Sequence, residues 1–215
     1  MQQLTKDNKI IPTDSTLVYC DLETSDLRAN VLLQIACNSK NKDLNLYCSP
    51  TGYLSPFCTN LTGLYSINGN LYKKGRKLST FTVEQALFKF KQFIESYNTP
   101  VTLVCFNNFG FDAKVLVRHF LQKAVPLPSN LTHFADPLPA FKRLLKTEKL
   151  TNFKLGTLCT HFDVSLIEAH DAKFDSLSLQ VLCEKVSEQR NLTVVDFLDK
   201  YVKPVDHFIK QQTQK

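Results

Sequence analysis

The run Leu17-Val18-Tyr19-Cys20 is apolar, β-branched and aromatic, which is the composition of a buried strand, and it leads directly into Asp21-Leu22-Glu23-Thr24-Ser25-Asp26-Leu27. Successive side chains of a strand point to opposite faces, so Asp21 and Glu23 emerge on the same face. Two carboxylates side by side at a strand end repel each other unless a cation lies between them. A hard divalent ion such as Mg²⁺ prefers oxygen ligands of this kind. A bare D-x-E pair is also compatible with an ordinary strand end bearing solvated acids, so the remainder of the chain has to supply the rest of any site.

The pattern around this stretch predicts a mixed α/β domain. Val31–Asn38 and Leu44–Cys48 read as two more strands, forming an antiparallel meander with the first through short polar turns. Residues 49–80 read as irregular, with Pro50, Gly52, Pro56, Gly63, Gly69 and Gly75. The cluster Lys73-Lys74-Gly75-Arg76-Lys77 in this region reads either as a solvated loop or as a phosphate-contacting edge. Thr82-Val83-Glu84-Gln85 is a capping box, followed by Val83, Ala86, Leu87, Phe90, Ile94 and Tyr97 at helical spacing. Val101–Phe106, after Pro100, is a continuous apolar run of the kind found in a central strand covered on both faces. Helices are predicted over Ala113 to about Lys123, for the basic amphipathic segment that follows Asp136 through Lys146, and over Leu155–Phe162, His170–Gln189 and Val194–Val202. Strands first, then a strand alternating with helices, argue for one sheet with helices around it. The expected division is a loose polar arm over 1–14, one domain over 15–205 and a polar tail over 206–215.

The 215 residues and the 43% apolar content suffice for one sizeable core. Basic residues exceed acidic ones, giving a formal charge of +6, which is compatible with a polyanionic partner. The seven cysteines are widely spaced in apolar runs, without a C-x-x-C pair or zinc spacing, and read as reduced core thiols of an intracellular protein of nucleus or cytoplasm. Met1–Asn8 lacks an apolar run, so no secretory signal is expected, and no stretch has the length of a membrane span.

Further candidate ligands follow the first pair. Asp112 stands where the run Val101–Phe106 gives way to a helix, with Asn108 four residues before it. Ligands of open α/β sheets gather at the carboxyl ends of strands, so this junction and the Asp21/Glu23 end can face one crevice. The third block is His170-Asp171-Ala172-Lys173-Phe174-Asp175. If all six were helical, His170 and Asp175 would stand roughly 140° apart around the axis. With His170 on the lead-in and Asp175 in the first turn, both can reach one point, and Asp171 becomes a helix-capping residue. His119, His133 and His161 fit no pattern. Phe81, Phe88, Phe90 and Phe93 read as helix core and flank.

The order D-x-E, N-x-x-F-D and H-x-x-x-x-D on these elements resembles the DEDDh exonucleases, the DnaQ-like branch of the ribonuclease-H-like fold. Gln34-Ile35-Ala36, Thr62-Gly63-Leu64, Leu155-Gly156-Thr157-Leu158-Cys159 and Asp136-Pro137-Leu138 resemble secondary features of the same family. The likeness extends over about residues 16–188. Asp26 replaces the family's usual glycine, and Asn107 replaces a frequent histidine. The resemblance implies an α/β fold with a mixed sheet, an antiparallel meander plus parallel strands flanked by helices. It also implies hydrolysis of phosphodiester bonds from the 3′ end, releasing nucleoside 5′-monophosphates, with two Mg²⁺ ions for which Mn²⁺ substitutes. Asp21, Glu23, Asp112 and Asp175 would be the metal ligands and His170 the general base. Leu22, Thr24, Leu27 and Asn108 would line the pocket for the terminal nucleotide.

The acids crowded around His170 are expected to favour its protonated form. The expected partners are 3′ ends of single-stranded DNA or RNA. Thr62-Gly63-Leu64 after a strand-rich start resembles the animal three-prime repair and PML exon-9-like branch, which tilts the expectation toward DNA. A homodimer is expected only by family analogy. A catalytically silent nucleic-acid-binding or protein-interaction module on the same fold is the rival reading, and the complete acid set stands against it. A ribonuclease-H-like endonuclease is disfavoured by the histidine of the third block.

Overall fold

A computed structural model describes residues 9–26, 31–52 and 54–214. Three strands, β1 (Thr16–Thr24), β2 (Leu32–Asn38) and β3 (Asp43–Cys48), form the predicted antiparallel meander. They are followed by α1 (Pro56–Thr62) and the short strands β4 (Leu64–Ile67), β5 (Asn70–Lys73), β6 (Arg76–Lys77) and β7 (Thr80–Phe81). The helix α2 (Val83–Glu95), the strand β8 (Val101–Val104), α3 (Asp112–Gln122), β9 (Leu131–Ala135), α4 (Pro137–Leu144) and α5 (Leu155–His161) come next. The chain closes with α6 (Ala172–Gln189), α7 (Val194–Leu198), a 3₁₀ turn at Asp199–Tyr201, β10 (Val202–Pro204) and α8 (Val205–Thr213).

The main sheet has the order β10-β9-β8-β1-β2-β3-β7. Strand β1 runs parallel to β8, and β8 parallel to β9, whereas β1–β2, β2–β3 and β9–β10 are antiparallel. Alternation along β1 divides the interior. Val18, Cys20 and Leu22 join a core beneath α2, α3 and α8, and Tyr19 joins a second core beneath α4 to α7. On α2 the predicted capping box forms, and the periodic residues Val83, Ala86, Leu87, Phe90 and Ile94 are all buried. Each of the four larger side chains taken fully out of water contributes on the order of 1.5–3 kcal/mol, and the Ala86 methyl about 0.8 kcal/mol. All seven cysteines are free and buried. Among the described residues no helix is long and apolar enough to cross a membrane.

Four regions depart from the sequence reading. Residues 49–80 are not irregular: they hold α1 and a separate sheet of order β4-β5-β6. Two-residue turns with positive φ at both positions, Asn68-Gly69 (49° and 75°) and Lys74-Gly75 (50° and 77°), join its strands. Such turns match strand twist, and Asn-Gly is their strongest sequence signal. The segment expected to be a helix through Val202 stops at Leu198, because Val202, Lys203 and Pro204 pair with β9 instead. Residues 9–11 do not behave as a loose arm. Ile11 is fully buried, and the amides of Ile10 and Ile11 both donate to the Asp199 carboxylate at 2.9 Å. The expected polar tail is largely α8, whose Phe208 is buried against Phe134, with ring centroids 5.1 Å apart.

A docked α8 makes Phe208 a core residue. Phe208→Ala should therefore destabilise the chain by about 3 kcal/mol in urea unfolding. A free tail would leave the midpoint unchanged.

Candidate active site

The carboxyl ends of β1 and β8 part company at the site. Tyr19 is the last β1 residue paired with β8, opposite Val104, and β1 continues to Thr24 alongside β2 only. Beyond Val104 the chain turns away through residues 105–111 to begin α3 at Asp112. Asn107, at φ 57°, makes this turn in the left-handed region that asparagine tolerates. Gly110 leaves room for it, since a Cβ there would lie 2.8 Å from the Asn107 side-chain oxygen. The gap between the strand ends opens as a cleft of ≈ 780 Å³.

Asp21, Glu23, Asp112, His170 and Asp175 all line this cleft. Asp21 and Glu23 come from one face of β1, Asp112 from the first residue of α3, and Asp175 from the first turn of α6. His170 precedes that helix at φ 63°, and its amide donates to Asp175 Oδ2 at 2.9 Å. Ligand atoms of Glu23, His170 and Asp175 all lie within 4.8 Å of one another. The geometric condition set by the spacing of the third block is met, with His170 on the lead-in and Asp171 as the N-cap.

Not every sequence-predicted residue reaches the cleft. Leu22 lines it. Asn108 does not: it is fully buried, and its amide donates to the carbonyls of Leu103 (3.2 Å) and Ala135 (2.9 Å), stapling the ends of β8 and β9. Its neighbour Asn107 takes the place in the cleft wall. Thr24 turns its hydroxyl to the Asp26 carbonyl at 2.8 Å and does not line the cleft. Leu27 lies outside the described residues. Asp136 caps α4 through the Leu138 amide (3.0 Å) and holds the Phe109 amide (3.2 Å), so it anchors the turn after β8. The sequence reading did not single out as site residues Leu61, Phe106, Phe111, Phe153 and Lys154, which complete the walls with the start of α5. The only available signal was the position of Phe153-Lys154 just before the Leu155–Cys159 segment.

The acids are crowded and dry. Burial, reinforced by Asp112, Glu23 and Asp175, pushes Asp21 well above the usual carboxylate range. Burial followed by Asp175 and Asp112 raises Glu23 to about 9, and burial raises Asp175 to about 6. Burial likewise raises Asp112, against the hydrogen bond it receives from the Leu22 backbone. The inner carboxylate oxygens Asp112 Oδ1 and Asp175 Oδ1 have no hydrogen-bond partner among the described residues. Unpartnered oxygens, four converging acids and one imidazole form a donor set that fits hard divalent cations. His170 departs from the expectation of a protonated ring: burial, followed by the charge of Lys154, holds it below its ordinary 6.5.

Asp171 sits behind this set. Its carboxylate accepts from Gln34 Nε2 (3.1 Å), the Lys173 amide (3.0 Å) and the Tyr47 hydroxyl (3.4 Å), and it forms an ion pair with Lys73. Burial would raise Asp171, but Lys73 and Gln34 outweigh it and hold the group below the usual range. Gln34 also accepts from the Ala172 amide at 3.3 Å, so the glutamine of Gln34-Ile35-Ala36 ties β2 to the start of α6.

Comparisons with known proteins give a consistent fold. No family model and no curated protein matches the chain. Among solved structures, Escherichia coli Exonuclease I in complex with a dA16 oligonucleotide aligns with TM-score 0.68 and 18% identity, over 85% of this chain and 42% of that one. The zinc-bound complex of the same Exonuclease I with single-stranded DNA aligns with TM-score 0.65 and 18% identity, over 82% and 41%. A moderately thermophilic Exonuclease I from Methylocaldum szegediense aligns with TM-score 0.62 and 16% identity, over 85% and 42%. The chain thus spans less than half the length of these proteins and shares their ribonuclease-H-like mixed-sheet fold.

The raised acids give stability a definite pH sign. In the fold Glu23 keeps its proton up to about 9, against an ordinary value of 4.5. The native state therefore binds more protons than the unfolded chain between these values, and this contribution, present in full below 4.5, is lost as pH rises toward 9. Metal-free protein should melt at a lower temperature at pH 8 than at pH 5, each kcal/mol lost corresponding to about 2–4 °C. Glu23→Gln should flatten the trend, and millimolar Mg²⁺ or Mn²⁺ should restore the pH 8 value by binding the ionised site. A Tm that rises from pH 5 to pH 8 without metal would contradict the assignment.

Proposed function

We propose that the chain is a metal-dependent 3′-to-5′ exonuclease acting on single-stranded nucleic acid, DNA in preference to RNA, and releasing nucleoside 5′-monophosphates. The observation that carries this reading is the convergence of Asp21, Glu23, Asp112, Asp175 and His170 in one open cleft, with carboxylate oxygens left unpartnered. Fold likeness to Exonuclease I, whose structures include complexes with dA16 and dT13 oligonucleotides, supports the choice of single-stranded DNA.

Asp21, Glu23 and Asp175 would hold one Mg²⁺ and Asp21 with Asp112 a second. Divalent ions held there would supply Lewis-acid stabilisation of the negative charge that develops on the attacking and departing oxygens. His170 then serves as general base. Burial and Lys154 lower its pKa, so the ring is neutral at neutral pH and able to accept the proton of the attacking water. Its exposed position at the mouth lets it pass that proton to solvent. Phe106 and Phe111 supply apolar surface for the terminal nucleoside, beside Leu22, which borders the cleft while its side chain packs into the core beneath α2, α3 and α8. We assign Leu27 to the same pocket by family resemblance. Asn108 and Thr24 support the walls from behind, in place of the direct contacts expected of them.

The test is 5′-end-labelled single-stranded DNA and matching RNA, each with Mg²⁺, Mn²⁺ or EDTA. Wild type should give a ladder shortening from the 3′ end with metal and none with EDTA, DNA being degraded faster. His170→Ala should lower kcat by about 10²–10⁴-fold, the range of a lost general base. Asp21→Ala should abolish both activity and thermal stabilisation by Mn²⁺. Intact strands in the presence of demonstrably bound metal would overturn the reading.

A further inference from the structure

His170 has a left-handed backbone conformation, with φ 63°, which is uncommon for residues with a Cβ although histidine adopts it more readily than most. The lead-in that carries it contains no regular element, since α5 ends at His161 and α6 begins at Ala172. Contacts from outside hold this loop: the His170 amide donates to Asp175 Oδ2 at 2.9 Å and the Ser178 hydroxyl to the Ser165 carbonyl at 2.8 Å, both from α6, and the small sheet adds ion pairs.

Two acids flank the histidine, and both are held from the separate three-stranded sheet. On the near side Asp171 forms its ion pair with Lys73, with side-chain exposures of only 6% and 12%. On the far side Glu168 takes Lys74 at 2.5 Å and Lys73 at 3.6 Å. Both lysines stand where the turn Lys74-Gly75 leaves β5. Asp171 has two further side-chain donors, Gln34 and Tyr47, and both are neutral. Among the described residues Lys73 is thus the one cation paired with the buried Asp171 carboxylate, and losing one partner of such a pair leaves a charge that the interior does not tolerate. The basic cluster of this turn accordingly divides: Lys73 and Lys74 face the acids of the loop, and Arg76 and Lys77 remain exposed on β6.

We propose that Lys73 is a positioning residue for His170: from the small sheet it clamps Asp171 and Glu168 on either side of the histidine and so fixes the loop that presents the imidazole to the cleft. Lys73 acts through these acids and does not touch the substrate. The proposal rests on His170 serving in the reaction proposed above, and it gives the β4–β6 sheet a task beyond stability.

The experiment compares Lys73→Met, Lys73→Arg, Asp171→Asn and the double variant Lys73→Met/Asp171→Asn, by hydrogen exchange of residues 163–171 and by steady-state hydrolysis of single-stranded DNA with Mg²⁺. Lys73→Met should speed exchange of the loop amides selectively. It should lower kcat by about 10- to 100-fold, the effect of a misplaced catalytic group, with KM changed by no more than about twofold. Lys73→Arg should retain most of kcat. Because the two residues act as a unit, the double variant should be no worse than the more impaired single one. Unchanged loop exchange and kcat in Lys73→Met would overturn the proposal, as would a loss confined to KM with a steeper salt dependence, which marks a phosphate contact. If Lys73→Met does not fold, Lys74→Ala/Glu168→Gln, which opens the outer half of the clamp, should give the same pattern more weakly, and its absence would also overturn the proposal. A wild type without activity sinks the exonuclease reading, and the exchange arm still decides the clamp.

Discussion

The burial of crowded carboxylates away from water is the constraint to which the rest of this structure answers. Asp21, Glu23, Asp112 and Asp175 are brought together where water is scarce, and each is pushed above its ordinary pKa. Without a cation such a cluster opposes folding, so packing elsewhere has to hold it. The two cores on either face of the main sheet do so, one anchoring α3 and with it Asp112, the other anchoring α6 and with it Asp175. The cleft inherits its shape from the divergence of β1 and β8, a topological feature that no local interaction could create.

Around the acids lies a ring of polar side chains that tie neighbouring elements together. Asn108 staples two strand ends, Asp136 holds the turn after β8, and Gln34 joins β2 to the start of α6. These contacts place the donors of the cleft without entering it, and they leave the inner oxygens of Asp112 and Asp175 unpartnered. A site whose buried carboxylate oxygens lack partners is arranged to gain from a cation. The lowered pKa of His170 fits the same logic, because a neutral ring is the form that can take up a proton.

Much of this was legible in the chain. The alternation of Leu17–Glu23 predicts that the two acids share a face, the capping box at Thr82–Gln85 marks the start of α2, and the spacing from His170 to Asp175 predicts that the helix begins between them. The small sheet was legible in part, since Asn68-Gly69 is a hairpin signal, but its strands of two to four residues are too short to carry an alternating pattern. The strand β10 was hidden because it follows directly on a helical turn and exists only through pairing with β9.

What the sequence by itself determined is the set of local, periodic facts: which residues alternate, where helices start, and which blocks carry carboxylates. Those follow from backbone geometry within a few residues. Tertiary structure alone decided that Asn107 and not Asn108 faces the cleft, that burial and then Lys154 set the balance at His170, and that Lys73 reaches Asp171 across 98 positions of chain. The destination of a polar side chain is set by whichever buried partner most needs it, and that partner is brought near only when the sheet has closed.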